Sequence, residues 1–211
     1  MNIYKLVFSP IDVNTYVLAD ESGDCAVIDC GCYDDSEFSG LVNLIESKKL
    51  TPVLLLNTHC HLDHIFGTRM FYEKFGLIPR YCELEEANRR NAPQHAMLFG
   101  LSIEESPGSG EYISHGDEIC FGTVNLKALH VPGHTAGTIA FYSQRDGCVF
   151  TGDSLFAGSI GRTDLPGGDF QTLINSIKNN LLTLPPETVV YSGHGQETTI
   201  EREALTNPYL R

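Results

Sequence analysis

At 211 residues the chain is long enough to bury one α/β core, and no second module's length of sequence is left over, so a single domain spanning 1–211 is expected. Its formal net charge of -13 excludes the usual sequence-independent grip on nucleic acid or on an anionic membrane, because both need Lys and Arg to neutralise phosphates. Seven cysteines, odd in number and scattered, suit reduced thiols in the cytoplasm. The N-terminal run Met1–Phe8 lacks a basic region followed by a long apolar one, and no window approaches the ~18 apolar residues of a membrane span. A cytoplasmic protein acting on a small molecule, without nucleic-acid or membrane partners, is the expectation.

Residues 3–8, 15–19 and 25–29 read as short strands separated by Ser9-Pro10 and by Glu21-Ser22-Gly23-Asp24, an antiparallel meander. Asp29 closes the third strand before Gly31, placed either to accept hydrogen bonds from a later loop or to form a turn. Asp34 and Asp35 offer N-caps to a helix with Phe38, Leu41, Val42 and Ile45 on one face. Pro52 then opens a buried strand, which completes a strand-helix-strand unit with a parallel pair. That strand delivers Asn57-Thr58-His59-Cys60-His61-Leu62-Asp63-His64 to the point where a buried strand meets solvent. Three imidazoles and a carboxylate so close together are costly in a core unless a metal ion partners them. After His64 the spacing of Ile65, Phe66, Met70, Phe71 and Phe75 is helical up to Gly76, so a helix N-terminus is expected to face the His-rich loop.

From Glu83 to about Gly100 a helical stretch runs through Met97-Leu98-Phe99 towards Ser106-Pro107-Gly108-Ser109-Gly110, an excursion that serves either as a lid or as packing with a surface loop. Strands resume near Glu118–Cys120, Val124–Val131, Thr138–Tyr142 and Cys148–Thr151. Gly167-Gly168-Asp169 opens a helix with Phe170, Leu173, Ile174, Ile177 and Leu181 on one face, closed by Pro185-Pro186. A last strand, Thr188–Tyr191, leads to another histidine.

Three further candidates stand where strands end, each with glycine beside it: His134 in Pro132-Gly133-His134-Thr135, Asp153 in Thr151-Gly152-Asp153, and His194 in Gly193-His194-Gly195. With the first loop they make five histidines and two aspartates, which divide into two sites sharing one carboxylate. His59, His61 and His134 would take one metal; Asp63, His64 and His194 would take the other; Asp153 would bridge. The spacing His59-x-His61 puts both rings on the same side of an extended segment.

The string Thr58-His59-Cys60-His61-Leu62-Asp63-His64 and the three later motifs, in this order, resemble the metallo-β-lactamase superfamily over essentially the whole chain. Within it, the run Gly161-Arg162-Thr163-Asp164-Leu165-Pro166-Gly167-Gly168-Asp169 and the ending Glu201-Arg202 to Asn207-Pro208-Tyr209 resemble the small, single-domain group similar to glyoxalase II. The resemblance implies an αβ/βα sandwich of two mixed sheets flanked by helices, a dinuclear metal site at one edge, and hydrolysis of S-(2-hydroxyacyl)glutathione or another thioester. Two-domain glyoxalases II use a C-terminal helical domain in binding glutathione, whereas Gly195–Arg211 alone follow the last ligand here. The implied hydrolytic core is complete without it; the implied thiol carrier is less specific.

Two divalent ions so held would acidify a shared water at neutral pH and so supply the nucleophile, and Asp63 is best placed to orient or deprotonate it. A donor set of imidazole and carboxylate suits zinc, with iron and manganese also compatible because thiolate is absent. Arg162 either pairs with a substrate carboxylate or ties its loop to Asp164 or Asp169. Persulfide dioxygenases share the scaffold and a similar Gly-Arg-Thr-Asp run but bind one iron, which makes them the first alternative. A non-catalytic metal-binding module, like the diiron domain of flavoproteins, is the second, although that group carries a carboxylate where this chain has His61.

Overall fold

Three strands open the chain in the computed structural model, and their pairing follows from short apolar runs separated by turn-forming residues. β1 (Asn2–Phe8), β2 (Val13–Ala19) and β3 (Asp24–Ile28) pair antiparallel in succession, with β2 buried along its whole length. The structure describes residues 1–8 and 10–211; Ser9, read from sequence as part of the first turn, lies outside the described residues. Asp34 caps α1 (Asp35–Ser47) by accepting from Glu37 N at 2.9 Å, and Leu41 and Ile45 are fully buried on its inner face. β4 (Thr51–Leu56) then lies parallel to β3 as the strand-helix-strand reading predicts. Pro52 stands beside a register shift at the start of β4, where a missing N–H is tolerated.

The single helix expected after His64 divides in two. α2 (Leu62–Ile65) is one turn, and α3 (Thr68–Phe75) begins afresh and stops at Gly76 in a left-handed conformation. The break falls at Gly67, whose N–H donates to the Cys30 carbonyl at 2.8 Å and whose missing Cβ would stand 2.8 Å from Cys30 Sγ. Close approach to the end of β3 interrupts the helix, so the helix N-terminus at the His-rich loop is reduced to four residues.

β5 (Arg80–Tyr81), a 3₁₀ turn at Glu83–Glu85, α4 (Glu86–Leu98) and β6 (Glu111–Tyr112) follow, completing a sheet of order β1-β2-β3-β4-β5-β6. The excursion is packed rather than loose along α4: Ala92 joins Cys60, Ile65 and Tyr81 in one apolar cluster, and Arg89 donates to Glu105 and to the Ser106 carbonyl. Its tip, Met97-Leu98-Phe99, is exposed.

The second sheet, of order β14-β13-β10-β9-β8-β7, begins with β7 (Glu118–Phe121), β8 (Val124–His130), β9 (Ile139–Ser143) and β10 (Cys148–Gly152). A small hairpin, β11 (Leu155–Phe156) with β12 (Ser159–Ile160), precedes α5 (Phe170–Ser176), which Asp169 caps and which continues as a π-helical turn over Ile177–Leu181. Leu173, Ile174, Ile177 and Leu181 are buried, but Phe170 is exposed: it stands in the first turn, before the apolar face closes on the sheet. β13 (Val189–Ser192) pairs parallel with β10, and β14 (Thr198–Thr199) leads into α6 (Ile200–Thr206). Contacts divide the chain into two compact units, residues 1–112 with 120–124, and residues 113–119 with 125–211. Each has its own apolar core, around Val17, Leu41 and Phe71 in the first and around Val149, Leu173 and Leu181 in the second. No helix among the described residues is long and apolar enough to cross a membrane.

All seven cysteines are free thiols, and of these Cys120 alone is exposed. Burial pushes the Cys25 and Cys148 thiols up to about 12, which leaves almost no thiolate near neutral pH. The folded chain is therefore expected to release one equivalent of chromophore from an aromatic disulfide reagent at pH 8, and seven in denaturant. A second fast equivalent in the folded chain would contradict this burial.

Candidate metal centre

In the first unit the His-rich loop leaves β4 at Leu56 and is anchored by three buried polar side chains. Asp29, just past β3, has a left-handed backbone with φ 54° and is almost wholly buried, and a buried carboxylate is costly without donors. Its donors come from the loop: Thr58 N and Thr58 Oγ1 each donate at 2.7 Å, and His64 Nδ1 lies 2.9 Å from Oδ2. Of the two readings of Asp29, the loop anchor is the one observed. Contact at Nδ1 fixes the His64 ring and directs Nε2 the other way, as a carboxylate does behind a metal-ligating histidine. Asn57 Nδ2 donates to the His64 carbonyl at 3.1 Å, and Cys60 N donates to Glu85 Oε2 at 2.9 Å.

These anchors bring the imidazoles together. The His59 ring centroid lies 4.8 Å from that of His61, edge-on, and 4.1 Å from that of His64. Candidate ligand atoms of Asp29, His59 and His64 fall within 4.8 Å of one another, and Asp63 Oδ2 is 3.3 Å from His64 Nε2. The Cys60 thiol between the histidines is driven well above its ordinary pKa by burial and then by the charge of Glu85. The candidate ligand groups among the described residues are made of histidine and aspartate alone.

In the second unit the parallel neighbours β10 and β13 end together, with Gly193 N donating to the Gly152 carbonyl at 2.8 Å, so Asp153 and His194 leave adjacent strand ends. His134 arrives on the turn after β8. Gly133 there has φ 127°, and a Cβ on it would stand 2.3 Å from Leu173 N, so the turn and the start of α5 fit only around glycine. His134 Nδ1 lies 2.8 Å from the Arg162 carbonyl. Asp153 Oδ2 is 3.6 Å from His134 Nε2 and 3.6 Å from His194 Nε2. Both distances exceed a hydrogen bond of at most about 3.2 Å. They approach the ~3.4 Å between neighbouring donors around a tetrahedral ion bound at about 2.1 Å. The residues present therefore fit a divalent cation by donor type and by spacing.

Arg162 ties its own loop in this structure. Its guanidinium forks onto Asp164 with two bonds of 2.7 Å, both side chains exposed, and this bond holds the Asp164 carboxyl at about 2. Asp169, the other candidate partner, is spent on capping α5 through Thr172 N at 2.7 Å. The part of Arg162 that reaches a candidate ligand is its carbonyl. Sequence carries no signal for that role, since every residue has a carbonyl; the clamps Asn57 and Glu85 likewise read only as polar residues near a strand end or a helix start.

The family model described as the Metallo-beta-lactamase superfamily matches residues 9–194. The probable metallo-hydrolase YqgX of Bacillus subtilis is 37% identical over 210 residues, 98% of this chain and 96% of its own. Hydroxyacylglutathione hydrolase GloC of Haemophilus influenzae is 36% identical over 212 residues, 100% of this chain and 98% of its own. Among solved structures, the BLEG-1 B3 metallo-beta-lactamase matches with a TM-score of 0.89 at 33% identity, covering 99% of each chain. TTHA1623 in a di-iron-bound form matches with a TM-score of 0.89 at 37% identity, covering 98% of this chain and 100% of that one.

Removing the anchor behind His64 tests the arrangement. Asp29→Ala is expected to weaken divalent-cation binding ~10–100-fold in a chelator competition, the usual effect of losing such a partner. Unchanged affinity in a folded variant would show that the ring needs no carboxylate to hold it.

Proposed function

We propose a function from the premise that the chain belongs to the metallo-beta-lactamase superfamily. Its fold is that superfamily's, mixed sheets with flanking helices, and it is a metallo-hydrolase by class. Within that class the reading is hydrolysis of a thioester, with S-(2-hydroxyacyl)glutathione first among substrates and the whole of 1–211 acting as one cytoplasmic hydrolase domain. Support comes from the 36% identity to hydroxyacylglutathione hydrolase GloC and from the run Gly161–Asp169. In this reading His59, His61 and His134 would hold one divalent ion, Asp63, His64 and His194 a second, and Asp153 both.

The observation that carries the reading is Asp153 Oδ2 at 3.6 Å from the Nε2 atoms of both His134 and His194, one histidine of each proposed set. A bridging carboxylate needs that equal reach. Zinc suits the donors, and the di-iron-bound form of the similar TTHA1623 supports iron as the alternative.

Divalent ions, when bound, acidify water and polarise an acyl carbonyl. The chain's own part is positioning and proton handling. Asp63, nearly buried and 3.3 Å from His64 Nε2, orients the attacking water and accepts its proton. Asp29 and the Arg162 carbonyl hold the rings of His64 and His134 at Nδ1, so little reorganisation accompanies attack. The leaving thiol has a pKa of ~8.5, so it departs as thiolate without a dedicated general acid. Arg162 binds a substrate carboxylate by exchanging its exposed fork with Asp164, a pair worth little at the surface.

Metal-replete protein is expected to release thiol from S-lactoylglutathione, with Asp153→Ala falling to background. Opening of a cephalosporin without thiol release would reassign the substrate to an amide. One iron per chain with oxygen consumption would reassign the chemistry to a dioxygenase.

A further inference from the structure

Glu85 closes the 3₁₀ turn before α4 and has no exposed surface. A carboxylate so placed must be held by donors, and two are in reach of Oε2: Cys60 N at 2.9 Å and Asn88 Nδ2 at 2.9 Å. The Cys60 amide belongs to the peptide between His59 and Cys60, one residue from His61. Peptide planarity makes that group a rigid plate, so fixing its N–H direction fixes ψ of His59 and φ of Cys60 together. They are two of the four main-chain torsions between His59 and His61, whose rings now meet edge-on at 4.8 Å, so the plate bears directly on where the two rings stand.

We infer that Glu85 is a positioning residue for the candidate metal ligands His59 and His61, acting through the Cys60 amide; this rests on the metal-binding reading above. Asp29 holds the loop at Thr58 and Asn57 holds it at His64, which leaves the middle to Glu85. The apolar cluster of Cys60, Ile65, Tyr81 and Ala92 keeps the start of α4 and the loop in one packed body, so the carboxylate cannot slide away from its donor. The excursion over 83–98 therefore serves the site as scaffold for the ligand loop.

Cobalt(II) titration of the full chain, read by its visible absorption and by chelator competition, tests this. Glu85→Gln keeps an oxygen acceptor at the same reach and is expected to bind cobalt within a few-fold of the unaltered chain with the same spectrum. Glu85→Asp, which withdraws the carboxylate by one methylene and is milder than truncation to Ala, is expected to lose ~10–100-fold in affinity and to show a shifted spectrum. Asn88→Ala removes the Asn88 bond and leaves the Cys60 one, and is expected to change neither. Glu85→Asp with unaltered affinity and spectrum, even if its melting temperature falls, would mark Glu85 as merely structural and overturn the inference. Glu85→Gln as weak as Glu85→Asp would overturn it too, because the acceptor would then not suffice. An unaltered chain that takes up no cobalt would overturn the metal-binding reading and this role with it.

Discussion

A buried negative charge at Asp29 is the constraint on which the first half of the site depends. Two parallel strands, β3 and β4, end side by side, and the chain leaving β4 carries polar residues into a place where the chain leaving β3 has left a carboxylate. Neither can be buried alone: the loop amide at Thr58 needs an acceptor and the carboxylate needs donors. Satisfying both at once draws in His64 and fixes its ring. The left-handed backbone at Asp29 is tolerated because the Leu56 carbonyl accepts from its N–H, and because Thr15 Oγ1 both donates to its carbonyl and accepts from Gly31 N.

The second unit solves a like problem with other parts. Its parallel pair, β10 and β13, again delivers polar residues from adjacent strand ends, now Asp153 and His194. Where the first unit orients an imidazole with a carboxylate, the second orients His134 with a backbone carbonyl. Both devices leave the ring nitrogen distal to the main chain as the one turned to chemistry. Parallel pairs suit the task, since the C-terminal ends of neighbouring strands converge on one edge while antiparallel neighbours send theirs to opposite edges.

Much of this was legible in the sequence, for reasons specific to each element. Turn residues at short intervals marked the meander, the i, i+3, i+4 spacing marked α1, and a histidine or aspartate beside glycine at each strand end marked the candidate ligands. What escaped was whatever depends on partners distant in the chain. The break at Gly67 follows from contact with Cys30, 37 residues earlier, and no local pattern reports it. Asp29 stood as anchor or turn-former because its donors lie 29 and 35 residues on. Phe170 fitted the apolar face of α5 by spacing alone, yet the first turn of a helix overhangs the layer it packs on, and the ring is exposed.

The thiol at Cys60 bears on endurance. A cysteine between two histidines is, in principle, the first casualty of peroxide or an electrophile, and its modification would deform the segment that carries them. Oxidants attack the thiolate, and here burial and the neighbouring Glu85 charge keep the proton on sulfur. Cys120, exposed to solvent, meets such reagents first. Chemical damage is thereby directed to a residue outside the ligand loop, and the same carboxylate that grips the Cys60 amide adds to the burial that keeps its thiol protonated.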